Sequence, residues 1–135
     1  MSTFRLQIVT PDGLVFEGQA QKLFCRTIDG DVGILPNHCD YLTALGMGEA
    51  RVTMEDGTVR KAACIGGMLS VFGGQVRLVA TTFEWAEDID AERAERARKK
   101  AEERLAQKNL DIREQQLASA KLHRALVRSS VAQHL

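Results

Sequence analysis

Apolar and polar positions follow two different periods along this chain. In FRLQIVT, residues 4–10, Phe4, Leu6 and Ile8 alternate with Arg5, Gln7 and Val9, the two-residue period of a strand that buries one face. Pro11, Asp12 and Gly13 then make a turn: proline pre-sets one backbone angle and glycine accepts the left-handed one. LVFEG and AQKLFCRTIDG follow, with Gly18 and Gly30 as breaks. EARVTMEDGTVRKAACIGG predicts a hairpin at Asp56-Gly57, a pair favoured in tight type I′ turns, and MLSVFGGQVRLVA repeats the pattern at Gly73-Gly74. Turn signals at roughly 8–12-residue intervals predict a compact β-sandwich or barrel of about ten strands.

After Gly74 there is no glycine or proline, and the period changes. Asp88 is placed to cap a helix starting near Ile89, with Asp90 and Glu92 favourable beside its positive end. Ala94, Ala97, Ala101 and Leu105 form a narrow stripe of mostly small side chains at spacings of three and four. The predicted break is KNLD at 108–111, where Asn109 tolerates turn geometry and Asp111 can cap again. A second helix repeats apolar positions at Ala118, Leu122, Ala125 and Leu126. The fold class is therefore α+β, an N-terminal β-sandwich followed by a C-terminal antiparallel helical hairpin. A hairpin zipped by alanines is expected to be marginal, because each buried carbon is worth only about 0.8 kcal/mol.

Charge separates the same two parts. Residues 1–88 hold seven Lys and Arg against eleven Asp and Glu, and residues 89–135 hold eleven against seven. A basic tail suits an acidic partner, a nucleotide or a nucleic acid. Cys25, Cys39 and Cys64 are too few and too scattered for a disulfide framework or a metal site, and are expected to be buried or half-buried. His38, His123 and His134 form no ligand cluster. No run approaches a membrane span, and MSTFRLQIVT lacks the basic start and apolar core of a signal peptide, so a cytoplasmic location is expected.

Five stretches stand in a specific order: VTPDG at 9–13, GDVGILPNH at 30–38, IGGMLSV at 65–71, VRLVA at 76–80 and DIDAERA at 88–94. With the alanine-rich tail behind them, the chain resembles the ε subunit of bacterial F-type ATP synthase over essentially its whole length. The resemblance implies a non-catalytic central-stalk (rotor) subunit on the cytoplasmic face of the cell membrane, peripheral to it. Residues 1–86 would be a sandwich that binds the γ subunit and the c-ring, and residues 87–135 a regulatory hairpin. That hairpin would fold down on the sandwich or extend along γ, the extended form inhibiting ATP hydrolysis. Basic residues of its second helix would meet the catalytic α/β subunits. In GDVGILPNH, read as a glycine-rich loop, Asp31 stands where the family usually has glutamate and is implied as a c-ring contact. His38 is placed at the same end.

The resemblance also implies ATP as a regulatory ligand, with no obligatory cofactor and no metal. Ile89-Asp90-Ala91-Glu92-Arg93-Ala94 matches the family motif Ile/Leu-Asp-x-x-Arg-Ala, and the further family positions fall on Glu84, Lys100, Arg124 and Arg128. Lys100 replaces a family arginine, keeping the charge but losing the two-pronged guanidinium. Spacing is compatible with such a site: Arg93 and Lys100 lie seven apart and Arg124 and Arg128 four apart, each pair on one helical face. Several cations could then surround a triphosphate. Asp90 and the backbone around Ile89 and Ala94 are left for the adenosine part. The same residues also fit a plain reading, with Asp90 a helix-start acid and the arginines solvated. No Walker-type loop is present, so hydrolysis by this chain is not expected.

Two other classes compete. A nucleic-acid module would use the basic tail, but acids are interspersed there and the last aromatic, Trp85, precedes the helices, leaving no stacking platform. A small enzyme would need a nucleophile–base pair, a metal cluster or paired loop carboxylates, and none can be named.

Overall fold

A computed structural model describes residues 2–133; His134, one of the three histidines, lies outside the described residues. The chain forms two compact units that meet in sequence between Trp85 and Ala86. The first holds seven strands: β1 (Phe4–Thr10), β2 (Gly13–Thr27), β3 (Gly30–Ile34), β4 (Tyr41–Ala44), β5 (Met47–Met54), β6 (Val59–Phe72) and β7 (Gln75–Trp85). The order is β1-β7-β6-β5-β2-β3, β4 pairs β6, and β1 also pairs β2, so five strands close on one another. Every pairing is antiparallel except β1 with β7, which is parallel.

Seven strands replace the expected ten or so because two glycine sites bend strands instead of ending them. Gly18 lies inside β2, in register with Leu6 and against the Phe16 ring. The first part of β2 pairs β1, and the register shifts between Ala20 and Lys22 as the strand moves on to β5 and β3. A long strand with a bulge of this kind turns a sheet corner. In β6, Gly66 and Gly67 have φ of 68° and 113°, yet pairing with β7 keeps one register across them. A Cβ on Gly67 would lie 1.9 Å from the Val79 carbonyl oxygen, so only glycine lets the two strands approach there.

The alternating residues fill the interior as the pattern requires. Leu6, Ile8, Leu23, Ile34, Leu69 and Leu78 are fully buried. Cys25 and Cys64 are buried, which pushes both thiols up to about 12, with the Asp31 charge adding to the effect on Cys25. Cys39 is exposed, against expectation, because it sits in the polar connection before β4. Gly73 and Gly74 both have positive φ, as a two-residue hairpin turn demands. The Asp56-Gly57 hairpin forms differently: only Gly57 has positive φ, so it is no type I′ turn. Asp56 Oδ1 instead accepts from the Thr58 amide at 3.0 Å and its hydroxyl at 2.7 Å, which holds the carboxyl below its usual range.

The second unit opens with a 3₁₀ turn (Ala86–Asp88), then α1 (Ala91–Leu105) and α2 (Ile112–Gln133). The cap of α1 is Asp90, not Asp88: Asp88 is used up in the 3₁₀ turn, and Asp90 has extended backbone angles and accepts from the Arg93 amide. Asp111 caps α2, accepting from the Glu114 amide at 2.7 Å. Ala94 and Ala101 are buried on α1, and Ala118, Ala125, Ser129 and Val131 on α2. Ala97 and Leu126 are exposed, contrary to the predicted stripes. The seam takes a seven-residue repeat, 94-98-101-105 against 118-122-125-129, which turns Ala97 and Leu126 outward. Arg98 occupies the remaining seam position, bridging Glu95 and Glu102 with its side chain. No helix among the described residues is long and apolar enough to cross a membrane.

Gly67→Ala should destabilise the first unit by about 2–5 kcal/mol, from left-handed strain plus overlap with Val79. Gly74→Ala, at an open turn, should cost about 1 kcal/mol. Thermal denaturation of both variants distinguishes them, and equal losses would remove the close-approach explanation.

Candidate functional site

The residues of interest on the helical unit divide by flank. In a seven-residue repeat the seam residues of α1 are Ala94, Arg98, Ala101 and Leu105, so Arg93, Ala97, Lys100 and Arg104 project to one side. On α2 the seam is Ala118, Leu122, Ala125 and Ser129, so Lys121, Arg124 and Arg128 project with the same rotational sense. In an antiparallel pair, equal senses bring both sets to one flank of the hairpin. A direct contact confirms the facing: Arg104 on α1 reaches Glu114 on α2 at 3.2 Å, and Glu114 lies seven residues before Lys121.

Charge on that flank is not balanced. Arg93, Lys100, Lys121 and Arg124 are exposed, and none has a carboxylate within 4.0 Å among the described residues. Arg128 is half-buried. Elsewhere on α1 the opposite holds: Arg96 has Glu92 at 4.0 Å, and Arg98 is held between Glu95 and Glu102, which keeps the Glu95 carboxyl below its usual range. Helical phase thus puts Arg93, Lys100, Arg124 and Arg128 on one flank of the hairpin, with Lys121 on the same side. Lys121 lies outside the motif-derived set; its signal was the seven-residue step to Arg128.

Ile89, Asp90 and Ala94 have structural tasks at the start of the helical unit. Ala94 is fully buried in the seam, so its side chain sets helix spacing and faces no solvent. Ile89 is buried beside the 3₁₀ turn, its amide donating to the Ala86 carbonyl at 3.2 Å. Asp90 is exposed but commits Oδ1 to the cap. Glu84 stands in β7 of the other unit, half-buried and in register with Ala63.

Asp31 is the second residue of β3, a strand where a loop was expected, because Gly30–Ile34 pairs with the end of β2. Its carboxylate is exposed and meets Arg26 at 3.5 Å across that pair. His38 follows the far end of β3, so the strand separates it from Asp31. Its Nδ1 lies 2.7 Å from the Cys39 carbonyl oxygen and its ring 5.7 Å from Tyr41. Among the described residues no cluster of His, Cys, Asp and Glu is arranged to hold a metal ion.

Two family models cover the chain: residues 3–86 match "ATP synthase, Delta/Epsilon chain, beta-sandwich domain". Residues 87–133 match "ATP synthase, Delta/Epsilon chain, long alpha-helix domain". An ATP synthase epsilon chain from Bacillus velezensis is 42% identical over 134 residues, 98% of each chain. One from Shouchella clausii is 36% identical over 134 residues, 99% of this chain and 98% of that one. In structure, a chain of the Euglena gracilis mitochondrial ATP synthase assembly of OSCP, F1 and c-ring superposes with a TM-score of 0.86 at 20% identity, covering 99% of this chain and 83% of its own. A chain of the Tetrahymena thermophila central stalk and c-ring gives 0.68 at 10%, covering 95% of each. At these identities the structural likeness speaks for the fold.

Asp90→Ala should weaken α1 by about 1 kcal/mol through loss of the cap, while Asp90→Asn should keep most of that stability. Far-ultraviolet circular dichroism during urea unfolding reads the difference. Equal helix loss in both variants would contradict the capping role.

Proposed function

We propose a rotor role for this chain, which belongs to the ATP synthase delta/epsilon-chain family. It acts as a non-catalytic central-stalk subunit that couples ion flow to ATP synthesis. The sandwich docks on the γ subunit and the c-ring, and Asp31 and His38, from the two ends of β3, both contribute to the c-ring contact. Exposed apolar side chains on adjoining strands support a protein-covered face: Leu42 on β4, Met68 and Phe72 on β6 and Val79 on β7 are 68%, 43%, 77% and 40% exposed, with Met68 and Val79 directly paired. The complex holds the chain at the cytoplasmic face of the cell membrane, and the chain itself stays peripheral.

The helical hairpin regulates ATP hydrolysis and senses ATP. One observation carries this reading: cations of both helices share one flank, and Arg93, Lys100, Lys121 and Arg124 there have no carboxylate within 4.0 Å among the described residues. Like charges held there oppose closure of the hairpin, and a triphosphate of about four negative charges reverses that term through charge-assisted bonds worth about 1.5–3 kcal/mol each. ATP therefore favours the closed hairpin by binding that state better. Arg93, Lys100, Arg124 and Arg128 hold the phosphates, and the segment at Ile89 and Asp90 addresses the nucleoside. Once open, the second helix presents Arg124 and Arg128 to acidic surface on the catalytic α/β subunits and restrains hydrolysis.

Calorimetric titration of the purified chain with ATP tests the ligand. Binding below millimolar ATP is expected for the natural chain, at least ten-fold weaker binding for Arg93→Ala, and tighter binding for Lys100→Arg, which restores a forked donor. No heat from the natural chain would overturn the ATP reading, and unchanged affinity in Arg93→Ala would remove Arg93 from the site.

A further inference from the structure

The cation flank has more residues than the motif explains, and its centre is built differently from its ends. On α1 the flank reads Arg93, Ala97, Lys100, with a methyl group between two cations. The Arg104–Glu114 contact fixes the level of the two helices near the turn. Counting from it at the same rise on both helices places Lys121 between Arg93 and Lys100, on the side where Ala97 leaves room. Lys121 is exposed and has no carboxylate within 4.0 Å among the described residues. A long cation beside other cations gains nothing from that position by itself. It gains from an anion seated over Ala97, where ammonium and guanidinium groups of both helices can reach one phosphate chain.

We propose that Lys121 is a further phosphate-binding residue of the hairpin and that Ala97 forms the floor of a polyphosphate seat. This rests on the ATP reading above and deepens it. The compact, strongly hydrated ammonium of Lys121 adds a point charge where Lys100 has given up a fork. The chemistry recognised is a chain of linked phosphates, so free tripolyphosphate should occupy the same seat as the nucleotide.

The test is titration of the full chain with ATP and with sodium tripolyphosphate at several salt concentrations. Lys121→Gln should bind both about ten-fold or more weakly, with a shallower salt dependence, and Lys121→Arg should restore binding. Ala97→Leu, at an exposed and helix-compatible position, should lose binding of both while circular dichroism stays unchanged. Lys99→Gln removes a cation outside the flank and should leave affinity within about two-fold, which separates a seat from general charge. Binding by Lys121→Gln within two-fold of the natural chain, while Arg93→Ala loses it, would overturn the role of Lys121 and leave the ATP reading standing. Equal losses from Lys99→Gln and Lys121→Gln would also overturn it. Failure of the natural chain to bind either ligand would overturn both readings.

Discussion

Alanine methyl groups, with Leu105 and Leu122 half-buried beside them, are most of what the two helices have to hold each other with. Ala94 and Ala101 on one helix and Ala118 and Ala125 on the other are buried along a seam that small side chains allow to close tightly. Each methyl brings little free energy, about 0.8 kcal/mol. The seam also carries a cost at its open end: Ser129 is buried and its hydroxyl has no partner among the described residues, a penalty of about 1–3 kcal/mol where no bond forms. The caps at Asp90 and Asp111 fix where the helices begin, and the exposed Arg104–Glu114 pair adds at most about 1 kcal/mol. A hairpin with this composition has a definite geometry and a small margin, the combination a ligand-controlled element needs.

The first unit is built on the opposite principle. Its strands close on one another through β1–β2 pairing, and large aliphatic side chains are fully removed from solvent inside. Phe83 and Trp85 pack edge to face at 5.0 Å, with the Arg60 guanidinium 3.8 Å over the Trp85 ring. Tight local constraints such as Gly67 under the Val79 carbonyl make it a rigid platform. Within the proposed function, rigidity suits a body that transmits rotation, and weak zipping suits one that switches.

Much of this was legible in the sequence, for reasons that differ by residue. Alternation in Phe4, Leu6 and Ile8 and the paired glycines at 73 and 74 report local geometry, which sequence encodes directly. Gly18 and Gly66-Gly67 bend strands that the pattern alone does not show to be continuous, because a glycine can either stop a strand or bend it, and only the neighbouring strand decides. The parallel β1–β7 contact joins residues some seventy positions apart, and no local pattern announces it. On the helices, alanine fits the seam and the surface equally well, so Ala97 could not be placed by polarity. Asp88 and Asp90 are both good caps, and the choice fell to backbone angles. The flank of Arg93, Lys100, Arg124 and Arg128 followed from helical spacing, whereas Lys121 emerged only with the seven-residue seam.

Under the proposed function, ATP holds closed a hairpin that its own packing holds only weakly. Amide hydrogen exchange on the intact chain, with and without ATP, measures this most directly. At about one hundred times the dissociation constant, exchange at Ala94, Ala101, Ala118 and Ala125 should slow by up to about 100-fold, while Leu6, Ile8, Leu69 and Leu78 stay unchanged. Hairpin exchange indifferent to ATP, or slowing spread equally over both units, would contradict it.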